Sequence, residues 1–176
     1  MSIIKLMESK KNLVLVGMMG SGKSTIGSIL AKKLKYEFID IDNKIEEIEK
    51  LTISEIFETN GEKYFRKIEE KISSNLITGI KKVISLGGGG FNNNNIQKKI
   101  LTNNISFWLS WKNSTIINRI KNNKKRPLAR SLDEKELKKL IKLRDNVYVK
   151  ADYKVDCDNL TKNEICEKIK EIYEKL

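Results

Sequence analysis

Short apolar runs alternate along the chain with stretches whose apolar positions recur every three or four residues. The runs at 12–16, 37–40, 82–86, 105–110 and 153–156 have the length and bounding residues of strands. The stretches between them read as helices with one inward face. Phe65, Ile68, Ile72 and Leu76 line such a face after Gly61. Leu137, Leu140, Ile141, Val147 and Tyr148 line another across 134–148, and Ile165, Ile169, Ile172, Tyr173 and Leu176 a third at the end of the chain. Pairs with capping-box spacing predict helix starts at Thr52 with Glu55, Ser131 with Glu134, and Thr161 with Glu164. Strand–helix alternation of this kind predicts right-handed βαβ units and a mostly parallel sheet covered on both faces, an α/β protein. In such a sheet, ligands bind beyond the carboxyl ends of the strands.

Composition narrows the picture. A length of 176 residues fits one domain, and no Pro/Gly/Ser-rich linker divides it. No apolar stretch is long enough to span a bilayer, and residues 1–12 lack the apolar core of a signal peptide, so a cytoplasmic location with no membrane partner is expected. Cys157 and Cys166 are the only cysteines and are expected to be reduced thiols without a chemical role. The chain has no histidine, which excludes Ser-His hydrolysis, imidazole bases and histidine-held metals. The net charge of +12 raises a nucleic-acid reading. The lysines, however, are spread over the polar faces of helices without interleaved aromatics, so a solvated basic surface is expected rather than a nucleic-acid partner.

Residues 17–24 read Gly-Met-Met-Gly-Ser-Gly-Lys-Ser, the phosphate-binding pattern G-x-x-x-x-G-K-[ST], set between the first strand and the first helix. Backbone N–H groups there point at an anion with the positive end of a helix behind them. Lys23 is placed for the β/γ-phosphates and the Ser24 hydroxyl for Mg²⁺, so the chain is expected to bind a nucleoside triphosphate. Asp40 and Asp42, two apart at the end of the second strand, are expected to share a face and to meet a metal ion and a substrate hydroxyl; the alternative is one surface aspartate and one helix N-cap. Arg66 and Glu69, three apart on a helix, form either an ordinary ion pair or a guanidinium fixed for an anion. Gly87, Gly88, Gly89 and Gly90 follow a strand and offer bare backbone to a small ligand. Arg144 falls inside the apolar stripe of its helix, which requires an anionic partner, either a bound carboxylate or a buried protein acid. Neither Arg66 nor Arg144 is expected near the phosphate loop. The asparagine run at 92–95 reads as a solvated turn before a helix. The basic segment 121–133, with the only proline, reads as a surface loop or a mobile lid.

Taken in order, these motifs resemble the shikimate kinase family from about residue 12 to the last helix. The phosphate loop at 17–27 is joined by Asp40 and Asp42, by Ile-x-x-Ile-Phe and Gly-Glu-x-x-Phe-Arg-x-x-Glu between Ile53 and Glu69, and by the glycines after Ser85 and Leu86. Arg126-Pro127-Leu128 and the late Leu-Arg-x-x-x-Tyr-x-x-x-Ala, from Leu143 to Ala151, complete the set. Gly90, the asparagine run and Ala129 depart from the usual pattern. The resemblance implies a three-layer α/β/α P-loop kinase fold with a five-stranded parallel sheet, in a single domain over 1–176. It also implies a substrate-binding helical segment around 42–72 and a lid around 121–133. It implies transfer of a phosphoryl group from ATP to the 3-hydroxyl of shikimate, with Mg²⁺ as cofactor and ATP and shikimate as the only partners of an expected monomer. By matching positions, Gly20, Ser21, Gly22, Lys23, Ser24 and Thr25 would hold the nucleotide phosphates. Arg119 would lie on the adenine with Asn159 nearby, and Ser24 and Asp40 would serve the metal. Asp42 would act as base, Arg126 would neutralise the transferred group, and Arg66, Arg144, Gly87, Gly88 and Gly89 would hold shikimate.

Overall fold

The computed structural model describes residues 11–122 and 132–176. Five strands, β1 (Leu13–Val16), β2 (Glu37–Asp40), β3 (Lys82–Ser85), β4 (Ile105–Ser110) and β5 (Tyr153–Asp156), form one sheet in the order β2-β3-β1-β4-β5. Every pairing is parallel, with Leu13 opposite Val83 on one side and Ile105 on the other. The described helices are α1 (Lys23–Leu34), α2 (Ile41–Glu49), α3 (Ile53–Leu76), α4 (Asn94–Asn103), α5 (Asn113–Lys121), α6 (Glu134–Tyr148) and α7 (Lys162–Glu174).

The central strand β1 is buried along its whole length, and its alternate side chains feed two separate cores. Leu13 and Leu15 join Ile26, Leu30, Phe107, Val155, Ile165 and Ile169 under α1 and α7. Val14 and Val16 join Ile41, Ile56, Phe65, Ile96, Ile116 and Ile141 under α2 to α6. A strand covered on both faces has no polar side to present, which is why β1 reads as an unbroken apolar run. Helix α1 can lie close to the sheet because Gly27 has no side chain: a Cβ there would sit 2.5 Å from the Phe38 ring.

Two of the capping boxes form as expected, Thr52 with Glu55 and Thr161 with Glu164. The third expectation is corrected. Asp133, not Ser131, caps α6, accepting from the Glu136 N–H at 2.7 Å while the Glu136 carboxylate takes the Asp133 N–H at 2.8 Å. Glu134, the supposed partner, instead pairs with Lys121 and Lys138. A carboxylate one residue before the first helical turn can accept a helix N–H as well as a hydroxyl can, so two overlapping boxes compete. Within α3 the backbone leaves helical geometry at Gly61 (φ 80°, ψ 170°), so the segment carrying Phe65 and Arg66 starts a new helical run there. The asparagine run is also more than a solvated turn. Asn93 caps α4, and the side-chain amides of Asn93 and Asn95 hold the Glu70 carboxylate at 2.6 and 2.7 Å, binding α3 to α4.

Candidate active site

The loops leaving the carboxyl ends of the strands converge, and the turn after β1 is the hub. Gly20 (φ 80°) and Gly22 (φ 89°) adopt left-handed backbone that lets the chain wrap tightly into α1. Gly22 caps that helix without a side-chain partner, and the first turn holds no acid, so its N–H groups face outward with the helix dipole unopposed. Lys23 is 7% exposed, and its Nζ donates to the carbonyls of Gly17 and Met18 at 2.8 and 3.0 Å. Ser24 and Thr25 are exposed on the first turn. The Ser21 carbonyl accepts from Trp111 Nε1 at 2.9 Å, which ties the loop to the end of β4.

A groove of about 650 Å³ opens beside this turn, lined by Ser21, Gly22, Thr25, Trp111, Arg119 and the start of α7. Arg119 lies over the Trp111 ring at 3.8 Å and reaches the Gly20 carbonyl at 3.4 Å. Asn159 is exposed in left-handed backbone and is not part of the lining; Leu160, Thr161, Lys162 and Asn163 are. Trp111 and the first turn of α7 were not singled out in the sequence. An aromatic just past a strand's carboxyl end was the available signal for Trp111. Arg126 lies outside the described residues, as does most of the segment expected to form a lid.

On the other side of the loop, four remote segments meet. Asp40 ends β2 and is the N-cap of α2, its carboxylate accepting from the Asn43 N–H at 3.3 Å. Asp42 sits in the first turn of α2, so the expectation of two carboxylates on one strand face is corrected: the strand gives way to helix between them. Asp42 nevertheless points at the glycine run. A Cβ on Gly87 would lie 2.6 Å from Asp42 Oδ1 and 2.6 Å from Glu69 Oε1. A Cβ on Gly88 would lie 3.2 Å from the Met19 backbone nitrogen and 3.3 Å from Arg144 Nη1, and one on Gly89 would lie 2.7 Å from Arg66 Nη1. None of these glycines has positive φ. At Gly87 and Gly89 charged side chains stand where a Cβ would go, and at Gly88 the Met19 backbone stands there with Arg144.

Glu69 is 1% exposed and accepts from Arg66 Nη1 at 2.7 Å, while Glu62 takes the other edge of the guanidinium at 3.0 Å. Burial pushes the Glu69 carboxyl above its ordinary range; the charge and hydrogen bond of Arg66 oppose the rise, Asp42 adds to it and Arg144 opposes it. Glu69 Oε1 and Arg144 Nε are both buried without a hydrogen-bond partner. Arg144 Nη1 rests 3.5 Å from Met18 Sδ, so the expectation that this arginine lies away from the phosphate loop is corrected. No carboxylate forms an ion pair with Arg144 among the described residues. The buried Glu69 nevertheless feels its charge, so both a protein acid and a bound carboxylate remain open as its anionic partner, and the half-buried guanidinium keeps its Nε without a hydrogen bond.

Elsewhere the chemistry is quiet. Cys157 and Cys166 are buried and free, and burial pushes their thiols up to about 12 and about 11, far from reactive thiolates. No group of three or more His, Cys, Asp and Glu residues suited to a metal occurs among the described residues, and no described helix is long and apolar enough to cross a membrane.

This arrangement has close counterparts. The profile described as "Shikimate kinase" matches residues 19–174. The shikimate kinase of Sulfurihydrogenibium sp. (strain YO3AOP1) is 44% identical over 162 residues, covering 90% of this chain and 95% of that one. That of Thermodesulfovibrio yellowstonii is 38% identical over 94% of this chain and 96% of its own. The solved shikimate kinase of Acinetobacter baumannii, in complex with shikimate, superposes with a TM-score of 0.90 at 31% identity, covering 97% of both chains. A phosphate loop facing a glycine run bracketed by two arginines, matched over nearly the whole chain, places this protein in the shikimate kinase family.

Proposed function

We propose that the site transfers the γ-phosphoryl group of ATP to the 3-hydroxyl of shikimate, giving ADP and shikimate 3-phosphate in aromatic amino-acid biosynthesis. The observation that carries the acceptor assignment is the Arg144 guanidinium beside Gly88, whose buried Nε has no hydrogen-bond partner, with Arg66 held by Glu69 beside Gly89. Two guanidinium forks and bare N–H groups suit a small carboxylate. In this reading Arg66 and Arg144 clamp the shikimate carboxylate while Gly87, Gly88 and Gly89 lie along the ring. Asp42 binds the attacking hydroxyl and takes its proton as the bond to phosphorus forms.

The residues after β1 cradle the phosphates. Lys23 exchanges its two carbonyl partners for β/γ-phosphate oxygens, and the N–H groups of Gly20, Ser21, Gly22, Ser24 and Thr25 complete the shell. Adenine enters the groove against Arg119 and Trp111, where planar stacking is available, with Asn159 at its outer edge. Phosphoryl transfer depends mainly on position and charge, so the lack of histidine is no obstacle.

A nucleotide-associated metal accompanies such kinases, and Mg²⁺ is the ion we infer. The exposed Ser24 hydroxyl and the single carboxylate of Asp40 fit an ion that takes most of its ligands from phosphate and water. Bound there, the ion would neutralise phosphate charge as the reaction proceeds. Arg126, carried by a lid around 121–133, would add positive charge to the transferred group. We place this kinase in the cytoplasm as a single-domain monomer, with the segment 42–72 as its acceptor-binding arm; the two buried thiols support a reducing compartment.

The test is an ADP-release assay with shikimate, gluconate and other hydroxy acids. Turnover with shikimate alone is expected, and Asp42→Asn should remove most of it. Turnover with gluconate and none with shikimate would overturn the acceptor assignment.

A further inference from the structure

Tyr148 is 1% exposed at the end of α6, and its hydroxyl donates to the carbonyl of Gly88. Its ring packs against Trp108 with centroids 6.0 Å apart. Arg144 lies one helical turn earlier on the same face, and its Nη1 would be 3.3 Å from a Cβ on the same Gly88. One helix therefore faces one glycine with two side chains, a cation beside it at the acceptor site and a neutral hydroxyl bonded to its carbonyl.

The glycine run needs such a hold. Four consecutive glycines have the largest conformational freedom of any tetrapeptide, and ordering them is costly. Among the described residues, the one backbone bond within the run joins the Gly90 N–H to the Gly87 carbonyl at 3.0 Å. The N–H groups of Gly88 and Gly89 have no partner among the described residues. Because a trans peptide is planar, the Gly88 carbonyl and the Gly89 N–H point in opposite directions. A hydroxyl that draws the carbonyl toward α6 turns the Gly89 N–H away from α6, and Gly89 itself lies against Arg66.

We propose that Tyr148 is a positioning residue for the acceptor: its bond to the Gly88 carbonyl sets the peptide joining Gly88 and Gly89 and locks it in register with Arg144. Burial pushes the Tyr148 hydroxyl up to about 12, so it stays a donor across the working pH range. The inference rests on shikimate as acceptor and adds a residue whose own atoms reach only the protein.

Tyr148→Phe deletes one oxygen and keeps the ring. Losing one hydrogen bond that orients the site should raise the shikimate KM by about five- to thirtyfold. The ATP KM and kcat should stay within about twofold, because the phosphate loop is untouched. Replacing Tyr148 with 4-aminophenylalanine retains a ring and a donor and should restore the shikimate KM. An unchanged shikimate KM in Tyr148→Phe, or parallel losses in kcat and both KM values, would overturn the inference. So would a high shikimate KM in the 4-aminophenylalanine protein, which decides the matter even if the Phe variant fails to fold. Failure of the unsubstituted protein to phosphorylate shikimate is a separate result, and it would remove the acceptor assignment itself.

Discussion

The two halves of the site use the same residue types for opposite reasons. On the nucleotide side, Gly20 and Gly22 are glycines because the backbone is left-handed. On the acceptor side, the run from Gly87 to Gly90 has no positive φ, and its glycines leave room for Asp42, Glu69, Arg144 and Arg66, with the Met19 backbone and Leu86 close beside them. The cations differ in the same way. Lys23 rests on carbonyls from its own loop, five and six residues away in sequence. Arg144 comes from a remote helix and keeps a buried donor without a partner. A site for a common ligand is thus a local fold of the chain, whereas a site for a particular acceptor is an assembly of distant segments left short of partners.

The sharpest way to break this contrast is at Lys23. If its charge serves the transition state and its carbonyl contacts are only a resting place, Lys23→Ala should cut kcat by about a hundred- to a thousandfold with the fold intact. Steady-state kinetics and circular dichroism check this; near-normal turnover would remove the nucleotide-site assignment. The next effect falls on the other half. Arg66→Lys and Arg144→Lys should each raise the shikimate KM by about ten- to a hundredfold, because an ammonium cannot replace a two-pronged fork. Arg66→Lys should leave ATP binding unchanged by calorimetry. Arg144→Lys should weaken it by less than about threefold, through the contact with Met18. Lost ATP affinity with normal shikimate binding would reassign both arginines.

The same contrast explains what could be read before the structure. The sheet, the helix faces and the phosphate loop were legible because each is encoded within a dozen neighbouring residues: β1 by its apolar run, α7 by Ile165 and Ile169, the loop by its glycines and Lys23. The misreadings are places where local rules compete. Asp42 reads as strand by alternation, yet Asp40 is a better helix cap than a strand residue, so α2 begins between them. The cap of α6 falls on Asp133, two residues after the serine that the spacing had singled out, and Ser131 itself lies outside the described residues. The clamp of Glu70 by Asn93 and Asn95, the hold of Tyr148 on Gly88 and the seat of Arg119 on Trp111 join residues far apart, and no spacing rule reports them. The arginines were visible only as cations in unusual places; which face they shared required the packing of α3 and α6 on the sheet.

A smaller effect should appear at the joint behind the acceptor loop. Asn93 caps α4 and, with Asn95, holds the Glu70 carboxyl below its ordinary range. Asn93→Ala removes the cap, a loss of about 1 kcal/mol, and should lower Tm by about 2–4 °C. Because Glu70 is next to Glu69, the shikimate KM is the informative second reading. A stable variant with raised KM would show that the joint aligns Arg66, and an unchanged KM would confine it to stability.

The smallest expected effect depends on pH and should be confined to the acceptor side, since the first turn of α1 carries no acid. Burial raises the Glu69 carboxyl above its ordinary 4.5, Asp42 adds to the rise, and Arg66 and Arg144 only partly oppose it. The folded protein therefore keeps this proton to a higher pH than the unfolded chain does. Between the unfolded and folded values the folded state binds more protons, so stability falls as pH rises through that window. The contribution is complete below about 4.5 and lost above the folded value. Glu69→Gln cannot titrate, so the Tm of the native protein relative to this variant should decline from about pH 4.5 upward and then level off. Asp42→Asn removes the nearby like charge and should move the decline to lower pH. Calorimetric scans over this range decide the matter: a constant difference between native protein and Glu69→Gln would mean that Arg66 fully offsets the burial of Glu69, and that the acceptor half is electrostatically as complete as the phosphate loop.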